Sequence, residues 1–76
     1  MIEPSQIREH MEVVGADNAH LGKVDHVLGN DIKLTKSLGM GAHHLIPLSW
    51  VQSIDRDKVR LAITTDEAKK GWRELN

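Results

Sequence analysis

The chain contains no cysteine, no tyrosine and no phenylalanine. Without thiols it forms no disulfide and offers no thiolate to a metal or a substrate. Trp50 and Trp72 are its only large aromatics, so it has no row of rings on which nucleic-acid bases stack. Neither sign of charge dominates: 10 Lys and Arg stand against 11 Asp and Glu, for a formal net charge of -1. Nucleic-acid-binding surfaces usually carry a strong positive balance, and so do surfaces built for anionic membranes. No run approaches the roughly 20 apolar residues needed to cross a bilayer. The opening stretch MIEPSQIREHMEVV is charged throughout and lacks an apolar core of signal-peptide length. The expectation is a cytoplasmic protein with no membrane insertion. At 76 residues the chain is expected to form a single domain, 1–76, too short for an enzyme with a cleft between two lobes.

What is present reads mainly as short strands. Pro4 and Ser5 open a possible helical turn over residues 6–10, with Ile7 and Met11 four apart on one side. A strand begins at Met11, residues 15–19 turn the chain, and residues 21–28 form a second extended run. Gly29, Asn30 and Asp31 supply a compact turn before the alternating residues 32–36. Residues 36–43, KSLGMGAH, make the longest loop, and residues 44–48 read as a strand in which Pro47 marks an edge or an end. Residues 49–54 and 58–63 form another pair around the turn at Asp55, Arg56 and Asp57. Near the C-terminus the period changes. Thr64 and Glu67 have capping-box spacing, and Ala68, Trp72 and Leu75 form one apolar stripe of a short helix.

Two segments, VDHVLGNDIKL (24–34) and VQSIDRDKVRL (51–61), align without a gap. Val24 matches Val51, Val27 matches Ile54, Ile32 matches Val59, Lys33 matches Arg60 and Leu34 matches Leu61. Each reads as strand, polar turn, strand, so the expectation is two similar hairpins covering one core. A flat sheet would leave a greasy face and open edges. The expected architecture is therefore a small β-barrel of about five or six strands, with the C-terminal helix over one open end.

The residues Gly22-Lys23-Val24-Asp25-His26-Val27, Asp31-Ile32-Lys33-Leu34-Thr35, His43-His44-Leu45-Ile46-Pro47, Trp50-Val51 and Lys58-Val59-Arg60-Leu61 occur in that order. Together with MEVVGAD at 11–17, and with Asp66-Glu67-Ala68 and Trp72, they resemble the bacterial domain of unknown function 2171. That resemblance implies kinship with the PRC-barrel, a small all-β module. PRC-barrels occur in a ribosome-maturation factor assisting 16S RNA processing and in the H subunit of the photosynthetic reaction centre. There the module chiefly makes protein contacts, and the resemblance supplies no catalytic residues to carry over. Lys36 and Ser37 depart from the more acidic, glycine-rich loop of the family, and Leu45 stands where an aromatic is commoner.

Chemistry is sparse. His10, His20, His26, His43 and His44 are potential zinc, nickel or copper ligands, with Asp17 or Asp25 as oxygen donors. No HxH or HExxH spacing occurs, and His43 and His44, adjacent on a strand, should face opposite ways. A Ser49, His44, Asp17 triad can be named, but LSWVQ is no nucleophile elbow. The carboxylates of Asp55 and Asp57 suit a turn, and that of Glu67 suits a helix cap. Gly39-Met40-Gly41 is too short of glycine to cradle phosphate, and Lys36 precedes it rather than following. Trp50 is expected in the core and Trp72 as the residue that docks the helix.

The expected function is a non-catalytic protein-interaction or self-association adaptor, with no cofactor and with Leu38, Met40, His43 and His44 as contact residues. One alternative is an accessory module in an RNA–protein assembly, acting through a basic face of Lys33, Lys36, Lys58 and Arg60. A second is a histidine-based metal-binding protein.

Overall fold

The computed structural model describes residues 4–35 and 43–75. A 3-10 turn at Pro4–Gln6 leads to β1 (Glu12–Val14), β2 (His20–Leu28), β3 (Asp31–Leu34) and β4 (His43–Pro47). A second 3-10 turn, Leu48–Trp50, precedes β5 (Val51–Asp55) and β6 (Lys58–Leu61). The helix α1 (Thr65–Gly71) and a last strand, β7 (Arg73–Leu75), complete the chain.

The seven strands form one mixed sheet in the order β5-β6-β1-β2-β3-β4-β7. Every neighbouring pair is antiparallel except β1 and β6, which run parallel. The nine-residue β2 serves both halves: Lys23 and the residues before it face β1, and Val24 onward face β3. The expected closed, PRC-barrel-like barrel of five or six strands is not what forms. β5 and β7 are the two ends of the sheet and do not pair. Trp50, just before β5, reaches Gly71 at the end of α1, where a β-carbon would sit 3.3 Å from the indole. Trp72 follows, stacking on His44 with ring centroids 3.8 Å apart and planes 15° apart.

The repeat in the sequence is a repeat in space. In the first hairpin Val24 pairs with Leu34, His26 with Lys33, Val27 with Ile32 and Leu28 with Asp31. In the second Val51 pairs with Leu61, Ser53 with Arg60, Ile54 with Val59 and Asp55 with Lys58. The register is the same at every step, and so is the bulge, which falls at Asp25 in one and Gln52 in the other. Flanking bonds repeat too: Thr35 N–H donates to Lys23 C=O, and Ala62 N–H to Trp50 C=O, both at 2.9 Å. Each turn lends a carbonyl to the neighbouring segment, Asn30 accepting from Leu48 N–H and Asp57 from Glu12 N–H. Equivalent apolar positions meet at the centre. Ile32, Leu34, Val59 and Leu61 are all buried, joined by Val13, Val24 and Ile46. Each such side chain contributes about 1.5–3 kcal/mol through loss of water contact.

The C-terminal region departs from the single helical stripe. Thr64 caps α1 through the expected capping box with Glu67, but the helix stops at Gly71. Trp72 is already extended, with φ -72° and ψ 159°. Arg73–Leu75 then pairs with β4, Leu45 opposite Arg73 and His43 opposite Leu75. Edge pairing with β4 therefore prevails over a further helical turn. Pro47 ends β4, where its missing N–H costs least. Among the described residues no helix is long and apolar enough to cross a membrane.

Candidate functional site

Three surface regions gather polar or unpartnered groups. The first surrounds Asp25, the bulge residue of β2, which a bulge tends to aim away from the regular ladder. Its Oδ2 lies 3.5 Å from Lys33 Nζ and 3.8 Å from His43 Nδ1, and its Oδ1 lies 3.8 Å from His26 Nε2. His26 Nδ1 meets Glu9 Oε2 at 2.8 Å, and His43 Nδ1 donates to the Leu34 carbonyl at 2.9 Å. The second region is the β5–β6 turn with its surroundings. Asn18, Asp55, Arg56, Asp57, Lys58 and Arg60 line a hollow of about 530 Å³. The third is the outer edge of β5, which ends the sheet with Val51, Gln52, Ser53 and Ile54, none of them charged.

The histidines do not converge. His44 faces inward, only 6% exposed, with its ring on Trp72, whereas neighbouring His43 is half-buried on the opposite face of β4. This is the opposed pair that strand geometry dictates. His20 Nδ1 sits 2.8 Å from Glu12 Oε2 on the exposed side of β1 and β2, and His10 lines a separate hollow with Arg8, Glu9, Met11 and Asp57. Among the described residues no group of three or more His, Asp or Glu is placed to hold a metal ion. Glu12 is held below the ordinary carboxylate range, first by its hydrogen bond with His20 and further by the nearby Lys58 and Lys23 charges.

The other nominated residues are scattered. Ser49 is exposed in the 3-10 turn before β5, and Asp17 is exposed in the β1–β2 turn, where its Oδ1 accepts from Ala19 N–H at 3.4 Å. No hydrogen bond links Ser49, His44 and Asp17 among the described residues. Lys58 and Arg60 share the outward side of β6, while Lys33 projects from β3, on the other half of the sheet. Two of these cations face acids, Lys33 at Asp25 and Lys58 at Glu12, the latter 3.8 Å away. Leu38, Met40 and Lys36 lie outside the described residues. Trp50, expected in the core, is half-buried and packs against it, and it is Trp50 that meets α1 at Gly71 while Trp72, also half-buried, stacks on His44.

Sequence reasoning overlooked the β5 edge and Arg56. The edge was hidden by the assumption of closure. Arg56 was visible in the gapless repeat, where it falls opposite Gly29, but an arginine does not announce an unusual backbone.

The family described as an uncharacterized protein conserved in bacteria (DUF2171) matches residues 7–69. No curated protein and no solved structure matches the chain. The match spans both hairpins, β4 and most of α1. The chain belongs to the DUF2171 family.

Proposed function

We propose that the protein is a non-catalytic interaction module whose working surface is the β5 edge, and that it takes an extended strand there, in the simplest case β5 of a second copy. The observation that carries this reading is the outer side of β5, with which no strand pairs among the described residues. Exposed edges usually bear lysine or proline, or are kept very short, because unpaired backbone groups recruit other strands. β7, at the other end, has three residues and carries Arg73 and Glu74. β5 has five residues, is uncharged from Val51 to Ile54, and has half-buried Val51 and Ile54 packed against the core. Main-chain pairing at such an edge supplies affinity, and alternate side chains supply selectivity. A net charge of -1 leaves little mutual repulsion between copies.

Antiparallel pairing centred on Ser53 would set Val51 of each copy opposite Asp55 of the other. The test is a sedimentation series of the full chain beside a Ser53→Lys variant, which sets two lysines against each other at the centre. The proposal predicts a dimer that the substitution dissolves. A monomer at every concentration ends the self-pairing form. A protein captured from native cells equally well by both chains ends the edge reading altogether.

A further inference from the structure

The hollow beside the β5–β6 turn has features that strand pairing does not explain. Among the described residues, three non-glycine residues have positive φ: His10 at 72°, Asn18 at 65° and Arg56 at 57°. Two of them, Asn18 and Arg56, line this hollow, and His10 lines the smaller one next to it, which shares Asp57. Asparagine adopts this region at little cost, but a long side chain does so at a penalty. The first hairpin solves the same turn with Gly29, at φ 62°. Arginine in the second sits against the backbone preference, which raises the question of what benefit its side chain brings.

The charge distribution indicates what that benefit is. Of the four arginines, Arg8 is paired with Asp57 at 3.1 Å and Arg73 with Asp31. The other two, Arg56 and Arg60, have no carboxylate partner among the described residues, and both line the same hollow. Arg60 Nη2 donates to the neutral Asn18 Oδ1 at 3.3 Å. Lys58 adds an ammonium shared with Glu12. Asp55 and Asp57 are the opposing carboxylates in the wall, and Asp57 is shared with Arg8.

We propose that this hollow binds a phosphoryl group between Arg56 and Arg60, with Lys58 and the Asn18 side chain completing the contacts. Two guanidinium forks and an ammonium present more donors than the two oxygens of a carboxylate can accept, whereas a phosphoryl group offers three strong acceptor oxygens. The volume of about 530 Å³ leaves room for whatever carries the group.

The decisive variant is Arg56→Gly, because Gly29 shows that the same turn accepts glycine, so folding is retained while the fork is lost. Amide shifts of the full chain are followed by NMR as inorganic phosphate, O-phosphoserine or acetate is added at matched ionic strength. Saturable shifts at residues 55–60 are expected with the two phosphoryl compounds. Tighter binding of phosphoserine identifies an esterified group as the natural ligand, and equal binding identifies the free ion. Arg56→Gly should weaken binding at least about tenfold, the usual loss for one charge-assisted contact. Asp55→Asn should tighten it by removing an opposing charge. No saturation, acetate binding as tightly as phosphate, or undiminished binding by Arg56→Gly overturns the proposal.

Discussion

Arg56 occupies the turn position in the β5–β6 hairpin that Gly29 occupies in the β2–β3 hairpin, and both have positive φ, 57° and 62°. The second residue of each turn, Asn30 or Asp57, lends its carbonyl to the neighbouring segment. One hairpin has thus been used twice, with the same register and bulge but different side chains at the tip. The first copy is extended by antiparallel β4 and the second by parallel β1.

Replacing Arg56 by glycine should stabilise the fold. The backbone already holds a conformation that costs a non-glycine residue about 1 kcal/mol, partly offset because glycine also loosens the unfolded chain. Denaturant unfolding should show a midpoint at or above that of the parent. A clear fall would mean that the Arg56 side chain supports the turn.

Gly15→Ala should destabilise by about 1–3 kcal/mol, the cost of forcing atoms into a packed site. A β-carbon there would meet Thr65 N at 2.6 Å and Asp17 Oδ1 at 2.7 Å, and the first contact is with the backbone that starts α1. Gly22→Ala is the control, since its nearest neighbour is Leu34 Cδ1 at 3.7 Å. Thermal unfolding of the two variants should separate them. Equal losses would contradict the close approach of the β1–β2 turn to α1.

The stack of Trp72 on His44 fastens β7. Trp72→Ala should cost about 2–4 kcal/mol, near the low end for a large aromatic because the ring is only half-buried. Its amide-exchange signature should be loss of protection in β7 before the hairpins. Uniform loss across the sheet would indicate that the stack belongs to the global core instead.

Glu12 makes stability depend on acid. Its carboxyl pKa is lowered in the folded state, chiefly by the hydrogen bond with His20, so the unfolded chain takes up a proton first as pH falls. The stabilisation is complete above the ordinary glutamate value of about 4.3 and disappears as pH drops through the lower native value. Unfolding midpoints measured across that window should fall with acid in the parent and fall less in Glu12→Gln. Parallel curves would remove Glu12 from the acid response.

Much of this fold was legible because alternation and turn chemistry are local. Val24 to Leu34 and Val51 to Leu61 aligned in sequence and then paired in register, and the Thr64–Glu67 capping box formed where its spacing placed it. The misses have physical causes. Ala68, Trp72 and Leu75 have helical spacing, but spacing cannot weigh one more helical turn against pairing with β4. Closure failed because alternation says which residues face inward and not which strands become neighbours. Hence neither the parallel β1–β6 pair nor the unpaired β5 edge was foreseen. At the candidate sites, His43 and His44 did take opposite faces. The significance of Arg56 needed its φ and the company of Arg60, neither of which is written in residue type.

The most direct measurement is residue-resolved amide exchange across Val51–Asp55 as chain concentration rises, in the parent and in Ser53→Lys. In dilute parent protein, amides on the open side of β5 should exchange rapidly while those facing β6 stay protected. Raising the concentration should slow the open-side amides in the parent and leave the variant unchanged. Protection of every β5 amide in dilute solution, or exchange indifferent to concentration, would contradict an open edge that recruits a second strand.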